Sequence, residues 1–237
     1  MKNLNEKKFD DYTFITPYIE GKSSTCSYCD HLSPLILLEE KHTYITIAIG
    51  QFVEGYLQIC AQKHRTAATG LLPSETKELI KMKNLVRKAF KQIYKTPGIA
   101  FEHGKAGNCL WGNNRHKYES DLCHHFHIHY VPVNVDIRDL IKEYLPEEII
   151  VSNLYELKKI REDLLEAEPY LYFEDVNEIG YVYPVEERII PRQFLRNCVA
   201  QKLNIPEKAD WATFPGTEFF QKTKENLMPI LNQLALE

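Results

Sequence analysis

The stretch His125-Phe126-His127-Ile128-His129 constrains this chain more than any other. Polar and apolar residues alternate with the period of a β-strand, in which residues two apart share a face. His125, His127 and His129 therefore line one face, and Phe126, Ile128 and Tyr130 line the other. One side is a row of imidazoles and the other is a core surface. Three crowded imidazoles repel one another if all are protonated, so a metal or hydrogen-bond acceptors must hold some of them neutral. A neutral imidazole can attack phosphorus or ligate a metal, and a protonated one can bind phosphate oxygens. The row belongs to a wider cluster: His103, His116, His124, His125, His127 and His129 make up six of the chain's nine histidines.

Cys26-x-x-Cys29 has the spacing of a metal-binding pair and forms a compact, turn-like knuckle with His31. Zinc normally takes four ligands in a closed tetrahedral site when its role is structural. His64 follows the Gly55–Cys60 stretch, and His125 opens the histidine strand. Cys26, Cys29, His64 and His125 would complete such a site and pin the knuckle beside the strand. His31 or His124 could replace one of them, and a reduced pair without metal is the plainer alternative. Six cysteines in 237 residues do not resemble a secreted disulfide framework. Cys60 and Cys198 sit in apolar surroundings and read as small core residues.

The length allows one well-filled core, or a core with an appendage. At a formal charge of −4, with acids and bases mixed, no basic field invites duplex nucleic acid. The first residues are polar and no apolar run is long enough for a bilayer, so a cytoplasmic protein with no membrane partner is expected.

Residues 1–23 read as an irregular lead-in. Tyr44–Ile49 and Gly55–Cys60 read as strands. Pro73-Ser74 opens a helix with Ser74 as its N-cap, and Leu79, Met82, Val86, Phe90 and Ile93 form its apolar face. Pro97-Gly98 ends it, and Ile99–Glu102 is a further strand. A long polar stretch from His103 to Asp121 follows; such loops are usually functional or mobile. Beyond the histidine strand, helices are expected over Asp136–Leu145, Asn153–Glu166, 191–203 and 216–235. Tyr170–Phe173 and Tyr181–Tyr183 read as a hairpin. Trp111 and Trp211 read as packing residues.

His-φ-His-φ-His-φ-φ, here His125 to Val131, resembles the signature of the histidine-triad (HIT) superfamily. Gly55-Tyr56-Leu57-Gln58-Ile59 through His64 is similar to that family's glycine-led strand and its closing histidine. Phe101-Glu102-His103-Gly104 before the loop resembles a bacterial and phage HIT-like subgroup. The resemblance implies an α+β fold: a small antiparallel sheet with flanking helices over 24–135, and a mainly helical extension over 136–237 packed on it.

In that family the middle histidine attacks an α-phosphate and carries a nucleotidyl group, which maps onto His127. The last histidine binds phosphate and assists the leaving group, which maps onto His129. The family's structural zinc maps onto Cys26, Cys29, His64 and His125. Glu102 and His103 fall where the family places a polar strand end near the phosphate, with loop anchoring as the alternative. Where hydrolases of the family carry a serine before the triad, Ser120 could serve from a shifted position. Tyr56 stands where a histidine is common, and the acid that binds ribose hydroxyls falls near Ala48. His116, Arg115 and Lys117 read as a solvated loop, and Gln193 and Arg196 as surface or packing residues.

The expected activity is hydrolysis at a nucleoside 5′-α-phosphate through a nucleotidyl-histidine. A nucleotidyltransferase or phosphorylase on the same machinery, and a nucleotide-binding module with little turnover, are the alternatives. A homodimer is what the resemblance implies.

Overall fold

The computed structural model describes residues 28, 34–106, 125–152, 156, 169–185, 190–191, 193–211 and 213–237. Strands β1 (Ile36–Glu39), β2 (Thr43–Ile47) and β3 (Leu57–Ala61) precede helix α1 (Pro73–Tyr94). Then come β4 (Ile99–Gly104), β5 (His127–Val131), α2 (Arg138–Lys142), β6 (Ile149–Val151), β7 (Tyr170–Glu174), β8 (Gly180–Pro184), α3 (Phe194–Lys202) and α4 (Phe220–Ala235). The fold is α+β. Among the described residues the strands form one antiparallel sheet in the order β1-β2-β3-β5-β4-β7-β8-β6.

The histidine strand sits inside this sheet, between β3 and β4. Gln58 and Phe101 flank His129, and Cys60 faces His127. His125 precedes the strand proper, but Phe126 continues the pairing through its carbonyl to the Ala61 N–H. The alternation read from the sequence holds. Ile128 and Tyr130 join the core under α1 and α4, with Leu79, Met82, Val86 and Phe90 from one helix and Leu227 and Leu231 from the other. The opposite face carries His127 and His129, and beside them a second core of Phe101, Leu171, Phe173 and Tyr183. Residues of α2 and α3, among them Ile141, Leu195 and Val199, cover that second core.

Two helix ends differ from expectation. Leu72, not Ser74, precedes α1, and the Glu75 carboxylate accepts the Leu72 N–H at 2.8 Å. A carboxylate in the first turn satisfies an orphan donor that Ser74, already inside the helix, cannot reach. The helix stops at Tyr94, with Lys95 in the left-handed region, before Pro97-Gly98. Gly98 has φ 73° and lies against β5, where an added Cβ would come 2.5 Å from the Val131 carbonyl oxygen.

The larger difference is the sheet. The resemblance implied a small sheet with a mainly helical extension. The expected hairpin forms as β7 and β8, but β7 pairs along β4, Ala100 to Gly104 against Glu174 to Tyr170. Three strands from beyond residue 136 thus extend the histidine sheet. The cause is visible in β7. Tyr170 and Tyr172 feed one core while Leu171 and Phe173 feed the other, so the strand buries both faces only inside a sheet. The short strands β1 and β6 carried no signal strong enough to separate them from loops. The helix expected over Asn153–Glu166 lies outside the described residues, apart from Glu156.

A buried ionic knot ties α1 to this hairpin. Glu174, fully buried, meets Lys83 Nζ at 2.9 Å, the Arg87 guanidinium, and the Tyr172 hydroxyl at 2.6 Å. Arg87 also donates to the Gly98 carbonyl at 2.6 Å. Removing one partner of a buried pair leaves the other charge uncompensated. Glu174→Ala should therefore cost about 3–5 kcal/mol. Urea unfolding monitored by circular dichroism measures this, and a loss below about 1 kcal/mol would contradict the assignment.

Candidate functional site

Each described histidine of the cluster has a partner that fixes its ring. Nδ1 of His127 lies 2.8 Å from the carbonyl oxygen of His125. A carbonyl only accepts, so Nδ1 carries the proton and Nε2 of the neutral ring keeps its lone pair. Nε2 of His125 lies 2.8 Å from the Ala61 carbonyl oxygen, which by the same argument leaves the lone pair of His125 on Nδ1. That Nδ1 is 3.4 Å from Nδ1 of His64, with the two rings edge to face.

His129 is fixed differently. The Tyr56 hydroxyl lies 2.8 Å from its Nδ1, and Arg196 Nη1 donates to the same hydroxyl at 3.0 Å. Phe101 stacks on the ring at 4.6 Å, and the His127 ring stands edge-on at 4.9 Å. Burial first, then the facing His127, Arg196 and His103, holds the His129 pKa well below 6.5, so the ring is neutral.

Arg196 is 3% exposed. Its other donors go to the carbonyls of Gly50 at 2.7 Å and Ala209 at 3.1 Å, and its guanidinium lies over the rings of Phe52 and Tyr56. Among the described residues no carboxylate pairs with it. It therefore leaves a fixed positive charge beside the histidine row, which favours an anion there. The sequence reading gave Arg196 a surface or packing role; in the structure it is a buried donor to the site. Gln193 supports it by accepting from Arg196 Nε at 3.2 Å.

Tyr28, which stands between Cys26 and Cys29 in the sequence, docks on the same face. Its ring stacks on His127 at 4.7 Å and on His125 at 5.4 Å. Its carbonyl accepts from the Tyr44 hydroxyl at 2.7 Å.

The structure thus brings His64, His125, His127, His129 and His103 to one face. His103 accepts the Leu195 N–H at 3.2 Å and so anchors the first turn of α3. Glu102 does not join them. It projects from β4 to the opposite face, where its carboxylate is buried and accepts from the Ala68 N–H at 2.9 Å and the Tyr170 hydroxyl at 2.8 Å. Strand alternation explains the correction: Phe101 is paired with His129, so Glu102 must point the other way. Ser120, Cys26 and Cys29 lie outside the described residues. Among the described residues no three metal-ligating side chains gather.

Sequence reasoning missed Tyr56, Arg196 and Tyr28 as site residues. Tyr56 registered only as a departure from a pattern. Arg196 gave one local signal, a single charge among Phe194, Leu195, Cys198 and Val199. No family model matches the sequence, and no curated protein matches it. No helix among the described residues is long and apolar enough to cross a membrane.

The neutral state of His129 has a consequence for stability. In the unfolded chain the same imidazole takes up a proton below about pH 6.5. Acid therefore favours unfolding: this contribution is fully present above pH 6.5 and is lost as pH falls toward the folded value. From pH 7 to 5.5 the loss amounts to about 1 kcal/mol. Urea unfolding at both pH values should show that His129→Asn has about 1 kcal/mol less pH dependence than the wild type. Equal dependence in the two proteins would contradict the neutral assignment.

Proposed function

We propose that this chain is a nucleotide hydrolase of histidine-triad type, working at a nucleoside 5′-α-phosphate through a nucleotidyl group on His127. The observation that carries the reading is the His127 Nδ1–H donated to the His125 carbonyl at 2.8 Å. In the neutral ring it puts the proton on Nδ1 and leaves the lone pair of the nucleophilic nitrogen, Nε2, free to attack. It also stabilises the positive charge that the ring acquires when it is phosphorylated.

In the first step Nε2 of His127 attacks phosphorus; the P–N bond forms and the bond to the leaving group breaks. In the second, water attacks the same phosphorus and gives up a proton to solvent, the P–N bond breaks with its electron pair returning to Nε2, and the nucleoside monophosphate leaves. His129 contributes a hydrogen bond to a non-bridging oxygen, and the buried charge of Arg196 favours the phosphate's negative charge.

Zinc fits the residues as a structural ion. Two imidazole nitrogens bound about 2.05 Å from a tetrahedral centre lie about 3.3–3.4 Å apart, and the two Nδ1 atoms of His64 and His125 are 3.4 Å apart. That separation is long for an N–H···N hydrogen bond. The docking of Tyr28 on His125 brings the chain between the two cysteines to this pair. Cys26 and Cys29 would supply the remaining ligands, and the ion would crosslink the knuckle to the sheet without entering the reaction.

Two experiments test this reading. Intact mass spectrometry after brief mixing with adenosine and guanosine polyphosphates should show a gain of one nucleoside monophosphate. That gain should be absent in His127→Ala, with turnover down at least about a thousandfold. Nucleotide bound without adduct or product would overturn the enzyme reading in favour of a binding module. Metal analysis should find one zinc per chain, lost in both Cys26→Ser and His64→Ala. Undiminished zinc in His64→Ala would rule out the proposed ligand set.

A further inference from the structure

The contact of Tyr56, just before β3, with β5 and α3 carries an inference that rests on the proposed reaction and sharpens it. Tyr56 is fully buried, and among the described residues its hydroxyl meets two polar atoms, Nδ1 of His129 at 2.8 Å and Nη1 of Arg196 at 3.0 Å. A guanidinium only donates, so the hydroxyl oxygen accepts from Arg196. Among the described residues the hydroxyl hydrogen then has one acceptor, Nδ1 of His129. Were Nδ1 protonated, in the other tautomer or in the imidazolium, that hydrogen would be buried without a partner. Buried donors in native proteins are almost always paired, and leaving one unpaired is costly.

We propose that Arg196 and Tyr56 are positioning residues that lock His129 as a neutral imidazole with its proton on Nε2, so that it binds phosphate as a donor but does not protonate a leaving group. Among the described residues no acceptor meets Nε2 of His129, although the side chain is only 5% exposed. An unpaired donor on a buried ring, next to the proposed nucleophile, is suited to a phosphoryl oxygen. The groups that face His129 reinforce the lock. His127 lies beside it on β5, His103 and Phe101 on β4, Gln58 on β3 and Arg196 on α3. None is a carboxylate, so nothing among them favours an imidazolium.

The cradle around Arg196 is itself built for this contact. Gly50 has φ 81°, and an added Cβ would approach Arg196 Nη2 to 2.8 Å and the Trp211 Cβ to 2.2 Å. The segment can offer its carbonyl to the guanidinium only with glycine there. Helix α3 thus acts on the triad through one hydroxyl.

The lock selects substrates by their leaving group. A phosphate or polyphosphate departs as an anion and needs no acid. An alkylamine must gain a proton as the P–N bond breaks, and His129 can give one only by becoming an imidazolate or by drawing the proton of Tyr56, whose hydroxyl pKa burial pushes up to about 12. The site should therefore take α-phosphoanhydrides and reject alkyl phosphoramidates.

Imidazole ¹⁵N–¹H correlation spectra of the full-length, zinc-loaded protein test the lock directly. Nε2 of His129 should carry the proton and Nδ1 should remain an acceptor from pH 5.5 to 8, and Tyr56→Phe, folded by its amide spectrum, should lose this signature. A proton on Nδ1 in the wild type, or titration within that range, overturns the proposal even if no Tyr56 variant folds. In parallel, the wild type should form the His127 adduct from diadenosine tetraphosphate at least about a hundredfold faster than from adenosine 5′-(N-butyl)phosphoramidate. Equal rates from both probes overturn the leaving-group selection and leave the nucleotidyl reading standing. No adduct from either probe overturns that reading and the selection with it, while the spectra still decide the lock.

Discussion

The carbonyl oxygen of His125, 2.8 Å from Nδ1 of His127, is the contact on which the arrangement turns. A backbone acceptor placed two residues before the ring gives that ring one orientation and one tautomer. The same device recurs next door, where the Ala61 carbonyl fixes His125. A hydroxyl backed by a guanidinium does the corresponding work on His129. Three imidazoles can crowd one strand because each has its proton assigned by a different neighbour. Burial holds His129 neutral, so that ring adds no charge to the row.

Those neighbours come from distant parts of the chain, and the sheet brings them together. Ala61 and Tyr56 come from β3 and the loop before it, and Arg196 comes from α3. Helix α3 is seated by the second apolar core and by His103, whose Nε2 takes the Leu195 N–H. The core in turn depends on β7 and β8 extending the sheet past β4. The C-terminal region is thus part of the site's support. A strand pairing at β4, an apolar layer and a single buried arginine connect it to the histidine row.

Much of this was legible in the sequence where a short-range pattern was enough. Alternation from His125 to Tyr130 placed the rings on one face, and the spacing of Leu79, Met82, Val86 and Phe90 found α1. The hairpin at Tyr170 to Tyr183 was also readable. Its partner was not, because pairing of β7 with β4 spans some seventy residues of chain and leaves no local trace. Glu102 was placed in the site with His103 because both fall at the polar strand end that the resemblance puts near the phosphate, yet neighbours in a strand point to opposite faces. Tyr56 and Arg196 were missed for a related reason. They lie 140 positions apart, and only the fold makes them a pair.

The chemistry of the histidine row rests on where three protons sit. A neutron diffraction structure of deuterated crystals at neutral pH reads them without reference to turnover. It should place deuterium on Nδ1 of His127, on Nε2 of His125 and on Nε2 of His129, with the Tyr56 deuteroxyl directed at His129. Deuterium on Nε2 of His127, or on both nitrogens of His129, would contradict the account.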